Sequence, residues 1–328
     1  MMTLTADDAG AVLTATWDGQ DLFHYVYQPR DPQLESPRPY FHPLATLGGD
    51  VVSCYRPHDH VWHKGLALSL PNVGPDNFWG GPSFHDGGYV QLPNDGAMRH
   101  QAFDQPSATD SQPSATDDPV GTTDDEASAT DGQAGANDGR VRVTETLSWI
   151  TEAGRPVISE RRQLTVTAWP AEQAWGLGFE TVLVNTTSES IVFGSPTTEG
   201  RPNAGYGGLF WRGPRSFTGG RVTVPGAVGG DELMGRRAPW LAFTGQHDEH
   251  GRWSTLVFAD DPANFSFPSQ WFVRSTPFAA VCPAPFFDKT HELPAGQELV
   301  LRYGLAIADG DRDASGCARL AELAGDLA

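Results

Sequence analysis

Residues 140–151 read RVRVTETLSWIT, with Val141, Val143, Leu147 and Trp149 on one parity and Arg142, Thr144, Thr146 and Ser148 on the other. Alternation with period two is the signature of a half-buried antiparallel strand. Short apolar or alternating runs closed by Gly, Pro, Asn or Asp recur along the whole chain. They predict strands at 11–17, 21–27, 49–55, 65–70, 140–151, 157–169, 174–185, 190–194, 207–211, 220–225, 239–244, 252–259, 270–274, 278–282 and 297–308. Helical spacing occurs once, where Leu320, Leu323 and Leu327 follow a cap at Asp313 or Ser315. Strands without intervening helices exclude a doubly wound α/β fold. They predict an all-β chain: one large antiparallel β-sandwich with a short C-terminal helix.

One segment breaks the pattern. Residues 104–138 hold nine of the 41 Asp and Glu, no Lys, Arg or aromatic residue, and the hexapeptide QPSATD twice. With so little to bury, the segment is expected to be a disordered acidic insert. MRHQAF at 98–103 and the strand from 140 flank it, so the insert is expected to interrupt a hairpin within a single domain spanning 1–328. Without it the formal charge of −19 falls to 22 − 32 = −10 over 328 − 35 = 293 residues. An acidic balance argues against nucleic acid or an anionic membrane as partner. No apolar run is long enough to span a bilayer, and the N-terminus has no signal-peptide pattern. Three cysteines without CxxC spacing, Cys54, Cys282 and Cys317, indicate neither a disulfide framework nor a zinc ribbon, and a cytoplasmic location is expected.

The densest chemistry lies at 38–70, where His42, His58, His60 and His63 accompany Asp59, Trp62 and Lys64. An extended 58–60 would put His58 and His60 on one face, and a bend before Gly65 would bring His63 round to them. Three readings stand open: a divalent-metal site of His58, His60 and His63, a metal-free catalytic imidazole, or structural hydrogen bonding. Lys64 is one of only two lysines beside 20 arginines. A desolvated lysine among cations can act as base or nucleophile, which arginine cannot. A second constellation, TTEGRPNAGYGGLFWRGPRSF at 197–217, offers Glu199 as base or histidine-orienting group. Arg201 and Arg212 would hold a carboxylate or sugar hydroxyls there, and Trp211 would stack on a sugar face. Trp62 and Trp79 supply further aromatic wall, while Arg274 fits a core ion pair and a site equally well.

RPYFHPL at 38–44, DHxxHKG at 59–65, NFWG at 77–80, TEGRPNAGYGGLFWR at 198–212 and the late WFVR and PFFD segments together resemble the bacterial PmoA-like family, labelled "methane oxygenase PmoA". The likeness covers most of the chain outside 104–138. The label cannot describe the chemistry, because the monooxygenase subunit of that name is a membrane protein and this chain has no span. The resemblance implies a galactose mutarotase-like supersandwich and association with sugar oxidoreductases of the Gfo/Idh/MocA type. It matches His42, His60, His63, Lys64, Glu199, Arg201 and Arg212 to the family's polar motif positions, but not His58. The expected function is proton transfer at a sugar or keto-sugar (elimination, hydrolysis or epimerisation), with His60, His63, Lys64 and Glu199 as catalytic groups. His42, Trp62, Trp79, Arg201, Trp211 and Arg212 would bind the carbohydrate. A divalent-metal hydrolase or lyase and a non-catalytic sugar-binding module are the alternatives.

Overall fold

The computed structural model describes residues 1–7, 9–104 and 140–328. Two large antiparallel sheets carry the chain. In spatial order the first contains Met2–Asp7, Val12–Trp17, Gln20–Val26, Tyr40–Leu44, Leu66–Val73, Gly208–Arg212, Ala280–Ala284 and Gln270–Arg274. The second contains Ala227–Gly229, Arg221–Val224, Trp240–Gln246, Trp253–Asp260, Glu298–Asp309, Ala174–Asn185, Pro156–Trp169, Val141–Ile150 and Ala97–Phe103. Alternate side chains of both sheets meet in one core. Phe23 of the first approaches Trp175 of the second at 5.8 Å between centroids, and Trp175 Nε1 donates to the Ala45 carbonyl. The antiparallel sandwich expected from the alternation is what the chain forms.

Ala97–Phe103 and Val141–Ile150 pair directly, so the acidic stretch joins two neighbouring strands. Residues 105–139 lie outside the described residues, and with them the disorder expected for the insert. The helix Ala314–Gly325 is capped by Asp313, whose carboxylate accepts from Gly316 N at 2.8 Å; Ser315 donates to that carboxylate instead of capping. The helix lies against small residues on the second sheet, among them Ala174, Ala306 and Ala308. A Cβ on Gly304 would stand 1.8 Å from the Ala324 carbonyl oxygen, which explains glycine mid-strand. No helix among the described residues is long and apolar enough to cross a membrane.

The strand expected at 49–55 does not form; only the bridges Ala45↔Val51 and Tyr55↔Lys64 remain there. The backbone of this segment is divided among partners: Val52 N donates to Leu44 O, Cys54 N to Arg212 O, and Gly65 N to Cys54 O. Two short turns follow, His60 N to Pro57 O and His63 N to His60 O, and Arg56 N closes the loop on His63 O. The turn at 57–60 replaces the expected extended stretch. His60 and His63 are brought together, and His58 is left exposed.

Candidate functional site

Strand parity builds the site. In Gly208–Arg212, Leu209 and Trp211 enter the core between the sheets, while Phe210 and Arg212 face the opposite side. In Gln270–Arg274, Trp271 and Val273 enter the core, and Phe272 and Arg274 face out with Phe210. On that outer face is a cavity of about 610 Å³. Its walls include Trp62, Trp79, Phe210, Phe272 and Phe278, with the polar groups of His60, His63, Tyr89, Arg201, Tyr206 and Arg274. Asn77 Oδ1 accepts from Trp79 N and Gly80 N, and the Trp62 ring lies so close to Gly81 that a Cβ there would stand 2.7 Å from it. The NFWGG run thereby holds both indoles in the wall.

His60 and His63 stack with centroids 4.7 Å apart and planes 12° from parallel. His63 is buried, and Arg212 Nη1 lies 2.9 Å from its Nδ1. A guanidinium can only donate, so Nδ1 accepts and the proton of the neutral ring sits on Nε2. Burial holds the His63 pKa well below the ordinary imidazole value, and His60 when protonated, together with the cations Arg212, Arg38 and Lys64, adds to the effect. Burial also lowers the His60 pKa, against an opposing contribution from Asp59. His60 Nδ1 is buried without a hydrogen bond among the described residues, with Asp59 Oδ2 3.5 Å away. Both imidazoles are therefore neutral near pH 7. Arg212 is itself held over the Phe278 ring at 3.7 Å and by Asp59 at 3.3 Å.

Several residues expected in the site lie elsewhere. Lys64 is fully buried between Asp31, at 3.1 Å, and Glu35. Its ammonium belongs to a structural network beneath the loop. Glu199 is exposed and outside the cavity wall, because the turn Ser195–Arg201 points it to solvent. Trp211 is completely buried in the core, its Nε1 donating to Val52 O, since it has the opposite parity to the cavity side. His42 bonds Ser53 Oγ at 2.8 Å and stacks on Tyr55, away from the cavity. Arg212 stands behind His63 and does not line the wall. The metal grouping of His58, His60 and His63 does not assemble: His58 is exposed, His63 Nδ1 is occupied, and among the described residues no group of three or more His, Cys, Asp or Glu could hold an ion. Tyr89, Tyr206, Phe210, Phe272 and Phe278 are additions; parity from Trp211 and Trp271 would have found two of them.

His42 gives the fold a pH dependence. Burial lowers its pKa to about 4, with a smaller push from His24. Between that value and the unfolded value of about 6.5 the native state binds fewer protons than the unfolded one, so this contribution is complete above about 6.5 and is lost as pH falls. Asp95, raised by burial to about 7, acts in the opposite sense, so the informative quantity is the difference between wild type and His42→Asn. In urea melts the wild-type advantage is expected to shrink by up to about 3 kcal/mol as pH falls from about 6.5 to about 4. An advantage that stays constant over this range would refute the assignment.

The sequence profile of a family of unknown function, DUF6807, matches residues 13–322, and the chain belongs to that family. No curated protein matches it in sequence. Among solved structures it is similar to the α-galactosidase from Lactobacillus brevis, with 10% identity, a TM-score of 0.43, and 93% of this chain covered against 40% of that one. It is also similar to galactose 1-epimerase from Lactobacillus acidophilus NCFM, with 8% identity, a TM-score of 0.36, and coverage of 95% and 99%. A third is a putative aldose 1-epimerase from Klebsiella pneumoniae subsp. pneumoniae, with 10% identity, a TM-score of 0.27, and coverage of 57% and 55%. The chain thus spans about two-fifths of the α-galactosidase it matches.

Proposed function

We propose that this member of DUF6807 binds a small carbohydrate in the aromatic-walled cavity and transfers a proton at it, His60 accepting the proton and His63 Nε2–H holding a sugar oxygen. The observation that carries this reading is the Arg212–His63 hydrogen bond, which leaves His63 only a donor to offer. Trp62, Trp79 and Phe278 give the C–H faces of a sugar ring apolar surface to pack on, and their enclosure strengthens every polar contact inside. Among the described residues no carboxylate lines the cavity. The paired carboxyl groups used by most glycoside hydrolases are therefore missing from the wall, which favours elimination or epimerisation over hydrolysis. His60 is the group that would take a proton from carbon; burial keeps it neutral and ready to accept. His63 would stabilise the negative charge developing on the adjacent oxygen. A keto-sugar has such an acidified C–H, and the oxidoreductase association implied by the PmoA-like motifs would supply one.

The weak basicity of His60 also favours a second reading, a binding module without turnover. One experiment separates them: hexoses and keto-hexoses are incubated with the protein in D₂O, and loss of C–H signals is followed by NMR while affinity is read from Trp fluorescence. Wild type is expected to exchange a C–H, and His60→Ala to slow this about 10²–10⁴-fold with affinity nearly kept. Binding without exchange would leave the module and remove the catalyst. The absence of binding would remove both.

A further inference from the structure

The charged groups of the cavity wall are of one sign. The chain has 41 Asp and Glu against 22 Lys and Arg, yet Arg201 and Arg274 line the cavity and, among the described residues, no Asp or Glu does. Elsewhere arginines find carboxylates: Arg56 with Glu35 at 2.6 Å, Arg162 with Glu160 at 2.8 Å, and Arg302 with Glu180 at 2.6 Å. Arg201 has no ion pair among the described residues. It donates to Tyr89 Oη, which bonds Tyr206 Oη at 2.9 Å, and its guanidinium lies 4.8 Å from the Tyr89 ring centroid. That leaves a positioned guanidinium with unused donors at the wall. Arg274 has one carboxylate, Asp231, whose Oδ2 lies 3.9 Å from its Nη1, beyond hydrogen-bond distance, while Oδ1 accepts from Ser275 N and Thr276 N. A third cation, Arg212, lies behind His63 with its Nε buried and unpartnered among the described residues. Arg201, with no ion pair among the described residues, and Arg274, with one loose carboxylate, leave guanidinium donors at the wall that an anionic ligand can take up.

We infer that the carbohydrate taken by this site is acidic, its carboxylate or phosphate oxygens held by Arg201 and Arg274. The inference rests on the carbohydrate reading above and adds the charge class of the ligand. Both oxyanions fit a guanidinium fork, and neither suits a neutral sugar's hydroxyls as well.

The test uses the whole protein and three matched probes: a neutral hexose, its hexuronate and its 6-phosphate, for the gluco, galacto and manno series. Affinity is read by calorimetry and by the fluorescence of Trp62 and Trp79, at low and high ionic strength. At least one acidic sugar is expected to bind about tenfold or more tightly than its neutral parent, with the margin narrowing as salt rises. Preference for the hexuronate identifies a carboxylate, and preference for the 6-phosphate identifies a phosphate. Arg201→Gln and Arg274→Gln are each expected to shrink the margin between the acidic sugar and its neutral parent about tenfold or to abolish it. Arg201→Lys, which keeps the charge, is expected to retain part of it. Thermal melts of all three variants report folding. Equal affinity for neutral and acidic members overturns this inference and leaves the carbohydrate reading standing. If no sugar of either kind binds, both fall.

Discussion

Lys64→Met is expected to cost about 3–5 kcal/mol of folding stability, read from urea melts, and to weaken ligand binding in the same protein. The ammonium is fully buried between the carboxylates of Asp31 and Glu35, whose side chains are 6% and 3% exposed. Glu35 also accepts from Arg56 Nε and Nη2, and Tyr55 donates to Asp31 at 2.7 Å. Burial alone would raise the Glu35 pKa; the hydrogen bonds from Arg56 and Lys64 outweigh it and lower it. Removing the ammonium leaves the Asp31 carboxylate without its cation and Glu35 with Arg56 alone, in a site where neither side chain is more than 6% exposed. The effect on binding follows from what the network supports. The Glu35 carbonyl accepts from Arg38 Nη1, and Arg38 Nη2 donates to the Trp62 carbonyl at 2.7 Å, in the loop that carries His60 and His63. A loss below about 1 kcal/mol would sink the structural role and return Lys64 to the list of reactive groups.

Glu160→Gln is expected to lose a similar amount, about 3–5 kcal/mol, yet leave ligand affinity unchanged under conditions where the protein remains folded. Glu160 and Arg162 are both completely buried. The carboxylate takes Arg162 Nε at 2.8 Å and Nη2 at 3.0 Å, Trp149 Nε1 at 2.6 Å and Thr181 Oγ1 at 2.9 Å. Burial opposes the charge on Arg162, and Glu160 with its neighbours more than restores it, holding the pKa above its ordinary value. The amide would leave that cation without its main counter-charge, and none of these residues lines the cavity. Replacing both by Leu is expected to cost less than the single change, because no charge is then left unpaired. Calorimetry for affinity and urea melts for stability, run on Lys64→Met and Glu160→Gln together, separate support of the site from support of the core. A loss of affinity equal in both would show that destabilisation alone accounts for it.

Much of the site's chemistry was visible before the fold. His60, His63, Trp62, Trp79 and Arg201 come from three motif segments, at 38–70, 77–80 and 197–217, and line one cavity although 138 residues separate His63 from Arg201. Their convergence was not visible, because strands adjacent in space here are far apart in sequence: Leu66–Val73 pairs with Gly208–Arg212. Trp211 shows the limit of reading residue types. Tryptophan suits a sugar face and a core equally, and a shift of one position in a strand decides between them. Lys64 shows another: the carboxylates that occupy it, Asp31 and Glu35, lie 29 residues or more upstream and belong to no motif. Glu160 and Arg162 share the parity of Ile158, Leu164 and Val166, but only the position of Trp149, Tyr25 and Thr181 explains how charges can be kept on that face.

The all-β class, most strand positions and the capped terminal helix are legible in the amino-acid sequence, because alternation, turn residues and capping act over a few residues and are written locally. The convergence of His60 and His63 on the cavity, the pairing of Lys64, the exposure of Glu199 and a wall that among the described residues carries arginines but no carboxylate follow from the folded chain alone. Those outcomes depend on distance and burial between segments brought together by sheet pairing, and a one-residue change of parity or a single turn at 57–60 reverses them.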